Sequence, residues 1–287
     1  MKTTRVRKIL KNSRKHWVGN GFYVSTLWSP GTSLYEYTNP FLMLDYASPL
    51  EFSPSEKERR GVGVHPHRGF ETVTFSIFGE VEHRDSSGGG GIICPGDVQW
   101  MSAASGVVHD EFHSDNFTKK GGLFSMVQLW VNLPSEHKMG KPRYQSIKSE
   151  EFERFKSDDF NVKVIAGSFE GLDGKCETYT NMDVYDISFK KDSVFKTTYF
   201  KNRNYIALIL DGSLTINNET YSGEVALSLE SLNDELSLSA VKGSRVLLMS
   251  GEPINEPVAS YGPFVMNTKD ELVQAVEDFN AGRMGNL

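Results

Sequence analysis

The sequence predicts an all-β chain: two strand-rich halves in tandem, closed by one C-terminal helix. Three observations carry this. Short β-branched and aromatic runs recur between Gly, Pro, Asn and Asp clusters. One polar, charge-rich stretch at 134–159 interrupts them, and only near the end does the apolar pattern take a helical period. At 287 residues and the usual ~150 per domain, two domains are expected. Their expected limits are 1–133 and 160–287, with 134–159 as the connection and the helix ending the second.

The elements follow in order. Residues 1–16 carry Lys2, Arg5, Arg7, Lys8, Lys11, Arg14 and Lys15 and no acid. A secretory signal needs an apolar core of ~7–15 residues, which Val6, Ile9 and Leu10 do not supply. An amphipathic edge strand over 5–10 is the simplest reading, with a transit peptide or basic arm as alternatives. Strand runs follow at 21–27, 41–46, 72–78 and 122–132, and residues 86–91, ending in four glycines, form a turn. Strand texture resumes at 161–166, 184–189, 205–210, 213–216 and 245–250, so the second half repeats the first in style, as an internal duplication would. Thr268 and Glu271 make a capping box. Leu272, Ala275, Val276 and Phe279 then form one apolar stripe, and Gly282 stops the helix.

Charge excludes some function classes. Thirty-one Lys and Arg against 37 Asp and Glu give a net charge of −6, so no global basic field attracts nucleic acid. Cys94 and Cys176 are too few for a disulfide framework, which fits a reducing compartment such as the cytoplasm, or the nucleus in a eukaryote. No apolar run reaches the ~20 residues of a bilayer span.

The seven histidines are one-sided: His16, His65, His67, His83, His109, His113 and His137 all lie in the first 137 residues. In an extended strand, residues two apart share a face. His65 and His67 therefore form one pair, with Pro66 marking an edge or strand start. His109 and Glu111 form another. Two strands facing a shared interior would present three imidazoles and a carboxylate, the 2-His-1-carboxylate element of non-haem Fe(II) sites plus one histidine. His113 has the ligand parity but reads as structural or surface, His83 as a strand-end residue, and His16 and His137 as solvent-exposed. Asp110 and Arg68 alternate away from the ligand face, Arg68 into a structural pair. Cys94 reads as buried and inert.

The stretches His65-Pro-His67-Arg-Gly-Phe-Glu71-Thr-Val, Pro95-Gly-Asp-Val-Gln-Trp100-Met and His109-Asp-Glu111 resemble the motifs of pirins, bicupin proteins of the cupin superfamily. So do Gln128-Leu-Trp-Val-Asn-Leu133 and Gly251-Glu-Pro-Ile-Asn-Glu-Pro257. The resemblance spans nearly the whole chain. It implies two tandem cupin barrels of the double-stranded β-helix (jelly-roll) type, with one metal in the first. The ligands it implies are His65, His67, His109 and Glu111. Glu71, a ligand position in other cupins, falls to the barrel wall or just behind the ligands.

The metal so implied is Fe(II), although Mn, Ni, Cu, Co or Zn suit the same donors. The activity implied is quercetin 2,3-dioxygenase: a flavonol 3-hydroxyl meets the metal, Glu111 takes its proton, and O₂ opens the ring with loss of carbon monoxide. Phe70, Phe75, Trp100, Met101 and Phe112 are available to line the mouth or to fill the core, and Asp45 is expected to reach into that mouth. The other reading the family offers is an iron-dependent, redox-sensing regulator that binds a transcription factor or enzyme partner through a surface near 134–159.

Overall fold

The computed structural model describes residues 4–12 and 14–287, so Lys2 of the basic segment lies outside them. The chain forms two compact units. One comprises 14–33, 41–149 and 254–287, the other 4–12, 34–40 and 150–253. Each contains a seven-stranded and a four-stranded antiparallel sheet, the two-sheet build of a cupin barrel. No helix among the described residues is long and apolar enough to cross a membrane.

In the histidine-bearing unit the larger sheet runs in the order Arg143–Ile147, Val98–Ser102, Phe70–Phe78, Gly122–Asn132, Phe41–Phe52, Phe22–Trp28 and Lys15–Val18. The smaller runs Gly61–His67, Val107–His113, Val81–Asp85 and Gly90–Ile93. Inward residues of both sheets meet in one cluster, with Phe22, Phe52 and Phe124 from the first and Val81 and Ile93 from the second. Each such side chain contributes roughly 1.5–3 kcal/mol by burial. Pro66 is tolerated because Gly61–His67 is the edge strand of its sheet.

The ends of the chain are exchanged between the units relative to sequence order. Thr4–Leu10 is the edge strand of the second unit's larger sheet, paired with Ala226–Ser231. Its exposed Arg5, Arg7 and Lys8 guard that edge against further pairing. The C-terminal helix Lys269–Asn280 has both hydrogen bonds of the capping box between Thr268 and Glu271. It belongs to the histidine-bearing unit, where Leu272 and Ala275 pack on Val108, Phe264 and Met266. Phe279, at the end of the stripe, stays 37% exposed. The stretch 134–159 is not a bare connection. Arg143–Ile147 extends one unit's sheet by pairing with Val98–Ser102, and Arg154–Lys156 extends the other's by pairing with Phe160–Ala166.

Buried polar contacts also tie the C-terminal segment to the rest of the histidine-bearing unit. Buried Lys138 donates to the carbonyls of Gly69 (2.6 Å) and Val265 (3.1 Å) and to Asn132 Oδ1 (2.7 Å). Gly69 has φ +86°, and a Cβ there would collide with the Val265 carbonyl, so only glycine fits. Arg68 pairs with Asp278 of the helix at 2.7 Å and donates to Ser105 O at 2.6 Å.

The second unit is a barrel without histidine. Its core joins Val162, Val164, Tyr185, Ile187, Phe195, Leu227, Leu238 and Leu248, among others. Asp186, on the strand Met182–Phe189 of the larger sheet, accepts from Arg245 Nε (2.9 Å) and Nη2 (2.7 Å), with Lys163 Nζ at 3.3 Å. Burial opposes its ionisation, but the two cations outweigh burial and hold its pKa at about 2.

Candidate metal centre

The smaller sheet of the histidine-bearing unit brings three strands to one site. Val107–His113 is paired on one side with Gly61–His67, placing His109 opposite His65 and Val107 opposite His67. On its other side it pairs with Val81–Asp85, placing His109 opposite Asp85 and Glu111 opposite His83. From His109 to Glu111 the partner strand advances three residues, His65 to Val62, a bulge that bends Gly61–His67 at the site.

The ligand atoms of His65, His67 and His109 lie within 4.8 Å of one another. Their ring centroids are 4.2–4.9 Å apart. His83, His109 and Glu111 form a second such group, so His109 belongs to both and Glu111 lies on the His83 side. His65 Nδ1 is 2.8 Å from Gly63 O and His67 Nδ1 is 3.4 Å from Pro263 O. Carbonyls can only accept, so both imidazoles carry their proton on Nδ1 and keep the Nε2 lone pair. His109 Nε2 is buried and has no hydrogen-bond partner, a costly state unless something else takes that lone pair.

Electrostatics point the same way. Burial and the neighbouring imidazoles push the pKa of His67 and of His109 well below the usual histidine value, so both are neutral donors. Burial raises Glu111, but the hydrogen bond and charge of His83 outweigh it and keep the carboxylate ionised. Gln99 Nε2 donates to Glu111 Oε1 at 3.0 Å, and Thr74 Oγ1 lies 3.5 Å from the same oxygen. Neutral imidazoles beside an ionised carboxylate are the donor set of a divalent transition metal. The residues present fit such an ion.

These groups open onto a cavity of about 340 Å³, within the range of small-molecule sites. Its walls are mostly apolar and include Val24, Met43, Val62, Met126 and Trp130, with His65, His67 and Glu111 on one side. Across from them runs a polar row. Thr26, Asp45, Gln128, Thr74 and Gln99 are successive register partners on five strands. Thr26 donates to Asp45 at 2.5 Å and Thr74 to Gln128 at 2.8 Å. Asp45 thus reaches the cavity, and burial raises its pKa.

Several expectations are corrected by this geometry. His83 is no strand-end residue but fully buried beside His109, their Nδ1 atoms 3.2 Å apart. Burial works against its imidazolium, yet Asp85 and Glu111 outweigh it and lift the pKa to about 9. Phe70, Phe75, Trp100 and Met101 are core; Phe112 packs under the Arg59 guanidinium. None of the five lines the cavity, whose apolar wall comes instead from Val24, Met43, Val62, Met126 and Trp130. Cys94 is exposed rather than buried, because it opens a turn after a strand end, its N–H held by Asp97.

Other residues have structural work. His113 is buried among Phe22, Phe52, Phe117 and Phe124, with Nε2 3.0 Å from Gly21 O. Burial lowers its pKa to about 4. Asp110 turns away to pair with Arg84. His16 is exposed and His137 half-buried. Glu71 lies on the barrel wall, accepting from Ser102. Burial raises its pKa to about 7 against the pull of Ser102 and Trp100. Because that value exceeds the unfolded one, its contribution to stability is complete below pH ~4.5 and is lost as pH rises through 7. Replacing Glu71 with Gln should therefore stabilise the protein at pH 8 relative to pH 5, by up to roughly 3 kcal/mol. Denaturant melts at the two pH values check it; equal differences at both would refute it.

Fold and site together define a bicupin with a histidine-rich first barrel and a histidine-free second one. The Pirin family model matches residues 24–131 and the Pirin C-terminal cupin domain matches residues 184–285. The chain belongs to the pirin family. It is 44% identical over 281 residues to a Pseudomonas aeruginosa protein named "Putative quercetin 2,3-dioxygenase PA2418", covering 97% of this chain and 98% of that one. It is 36% identical over 284 residues to a Solanum lycopersicum pirin-like protein, covering 98% and 92%. The crystal structure of a quercetin 2,3-dioxygenase from Acinetobacter baumannii superposes with a TM-score of 0.92 at 42% identity, covering 99% of each chain.

Proposed function

We propose that the chain is a metal-dependent dioxygenase, using iron, that cleaves quercetin or a similar flavonol with O₂ to a depside and carbon monoxide. The ligands in this reading are His65, His67, His109 and Glu111. The observation that carries it is a set of neutral imidazoles and an ionised carboxylate on one side of a largely apolar cavity. The names of the relatives from Pseudomonas and Acinetobacter support the substrate class. When bound, the ion acts as a Lewis acid toward a substrate oxygen and offers open positions beside it.

The chain's own residues do the rest. Val24, Met43 and Trp130 bury the flat rings and exclude water. Glu111 takes the proton of the 3-hydroxyl. Gln99 holds Oε1 of that carboxylate, which leaves Oε2 to ligate or to accept the proton. Zinc would close the four ligands into a tetrahedron, and the Irving–Williams order would favour copper or nickel over iron, so supply decides the metal.

The test adds flavonol and O₂ to iron-loaded protein and follows carbon monoxide and the flavonol absorbance. Turnover should fall at least ~100-fold in His65→Ala and in Glu111→Ala, the usual scale for losing a general base. No turnover by the wild type, or undiminished turnover in either variant, would sink the reading.

A further inference from the structure

We propose that His83 and Asp85, backed by the glycine-rich turn, are the positioning residues of the metal centre, fixing the tautomer and orientation of His109. The proposal rests on the ligand set above. A His109 that gives its Nε2 lone pair to an ion keeps its proton on Nδ1. The nearest acceptor is His83 Nδ1, 3.2 Å away. A dication on His109 and Glu111 opposes the imidazolium that Asp85 and Glu111 otherwise favour at His83. In the loaded site His83 is therefore neutral, unprotonated at Nδ1 and protonated at Nε2, and the atom facing Nε2 is Asp85 Oδ2 at 3.1 Å. The result is a continuous chain from carboxylate to histidine to ligand histidine.

Independent contacts fix each link. Gln99 Oε1 accepts from the Tyr144 hydroxyl at 3.2 Å, so the Gln99 amide nitrogen faces His83 Nδ1, at 3.2 Å, and needs an acceptor there. The Tyr144 ring stacks on His83 at 5.0 Å and 10°, which sets the plane of the imidazole. Asp85 Oδ1 is taken up by the turn, accepting from Ser87 N (2.8 Å), Ser87 Oγ (2.6 Å) and Gly89 N (3.1 Å). That leaves Oδ2 for His83. A Cβ at Gly89 would collide with Asp85 Oδ2 and lie 2.6 Å from Tyr144 Cβ. The glycine is therefore required by the carboxylate behind the site, not only by the turn. Outer partners of this kind orient a ligand and raise its basicity, and their loss typically weakens metal binding ~10–100-fold.

The experiment titrates Co(II) into metal-free full-length protein and records affinity and the visible d–d bands. His83→Phe keeps the stacking on Tyr144 and removes both nitrogens; Asp85→Asn removes only the charge. Both should weaken Co(II) binding, the first ~10–100-fold and the second less, and both should shift the bands. His137→Ala, which removes a histidine far from these contacts in sequence, should leave both readouts at wild type. Circular dichroism of the metal-free variants tests folding, and should His83→Phe fail to fold, Asp85→Asn carries the test alone. Wild-type affinity and bands in a folded Asp85→Asn would overturn the proposal. Undiminished Co(II) binding in His109→Ala would instead overturn the ligand set, and this inference with it.

Discussion

Replacing His109 with alanine should weaken metal binding by about two to three orders of magnitude and suppress oxygen-dependent flavonol loss. His109 is the one residue shared by both groups of candidate ligands, and its Nε2 is buried with no other partner. Apparent binding energies of ~10–16 kcal/mol for four-ligand structural zinc sites give about 3 kcal/mol per ligand. One lost ligand then weakens affinity by on the order of 100- to 1,000-fold. The fold should survive, because the aromatic cluster around Phe22, Phe52 and Phe124 is a core of this unit that does not include His109. Competitive titration with a chromophoric chelator, beside a thermal melt of the metal-free protein, separates lost ligation from lost structure. Unchanged affinity in a folded variant would contradict the ligand set.

The largest stability effect is expected in the other barrel, where no metal chemistry is involved. Asp186→Ala should destabilise the protein by about 3–5 kcal/mol, because it strands Arg245 and Lys163 beside a buried position with no carboxylate between them. Asp186→Leu combined with Lys163→Met and Arg245→Met should cost much less, since removing the whole ionic group leaves no unpaired charge. The acid limb has a defined sign. Asp186 has its pKa lowered from 3.8 to about 2, so its stabilisation is full above pH ~4 and disappears as pH falls toward 2, by about 2 kcal/mol. Urea melts between pH 2 and 5 should show this slope in the wild type and a flatter one in the triple variant. A wild-type slope in the triple variant would show that another group titrates.

The strand-face pairs His65/His67 and His109/Glu111 were legible because side-chain direction in a strand repeats every two residues, whatever the strand pairs with. The C-terminal helix was legible for the same local reason: Thr268 and Glu271 are three residues apart, and a capping box needs nothing else. Two cupin barrels were legible through the pirin-like motifs. His83 was not. It is 26 residues from His109, and only the register of Val81–Asp85 on Val107–His113 puts it opposite Glu111; a one-residue slip would turn it to the other face. The cavity wall is the same kind of case, since Met43 and Trp130 become neighbours only through pairing of their strands.

What the sequence determined by itself is therefore local: strand parity, the helix cap, the charge balance and the confinement of histidine to the first 137 residues. What only the tertiary structure decided is non-local. It exchanged the chain ends between the two units, buried His83 beside His109 and let the glycine turn grip Asp85. The physical reason is that period and capping depend on residues within a few positions, whereas sheet register depends on how whole faces bury together.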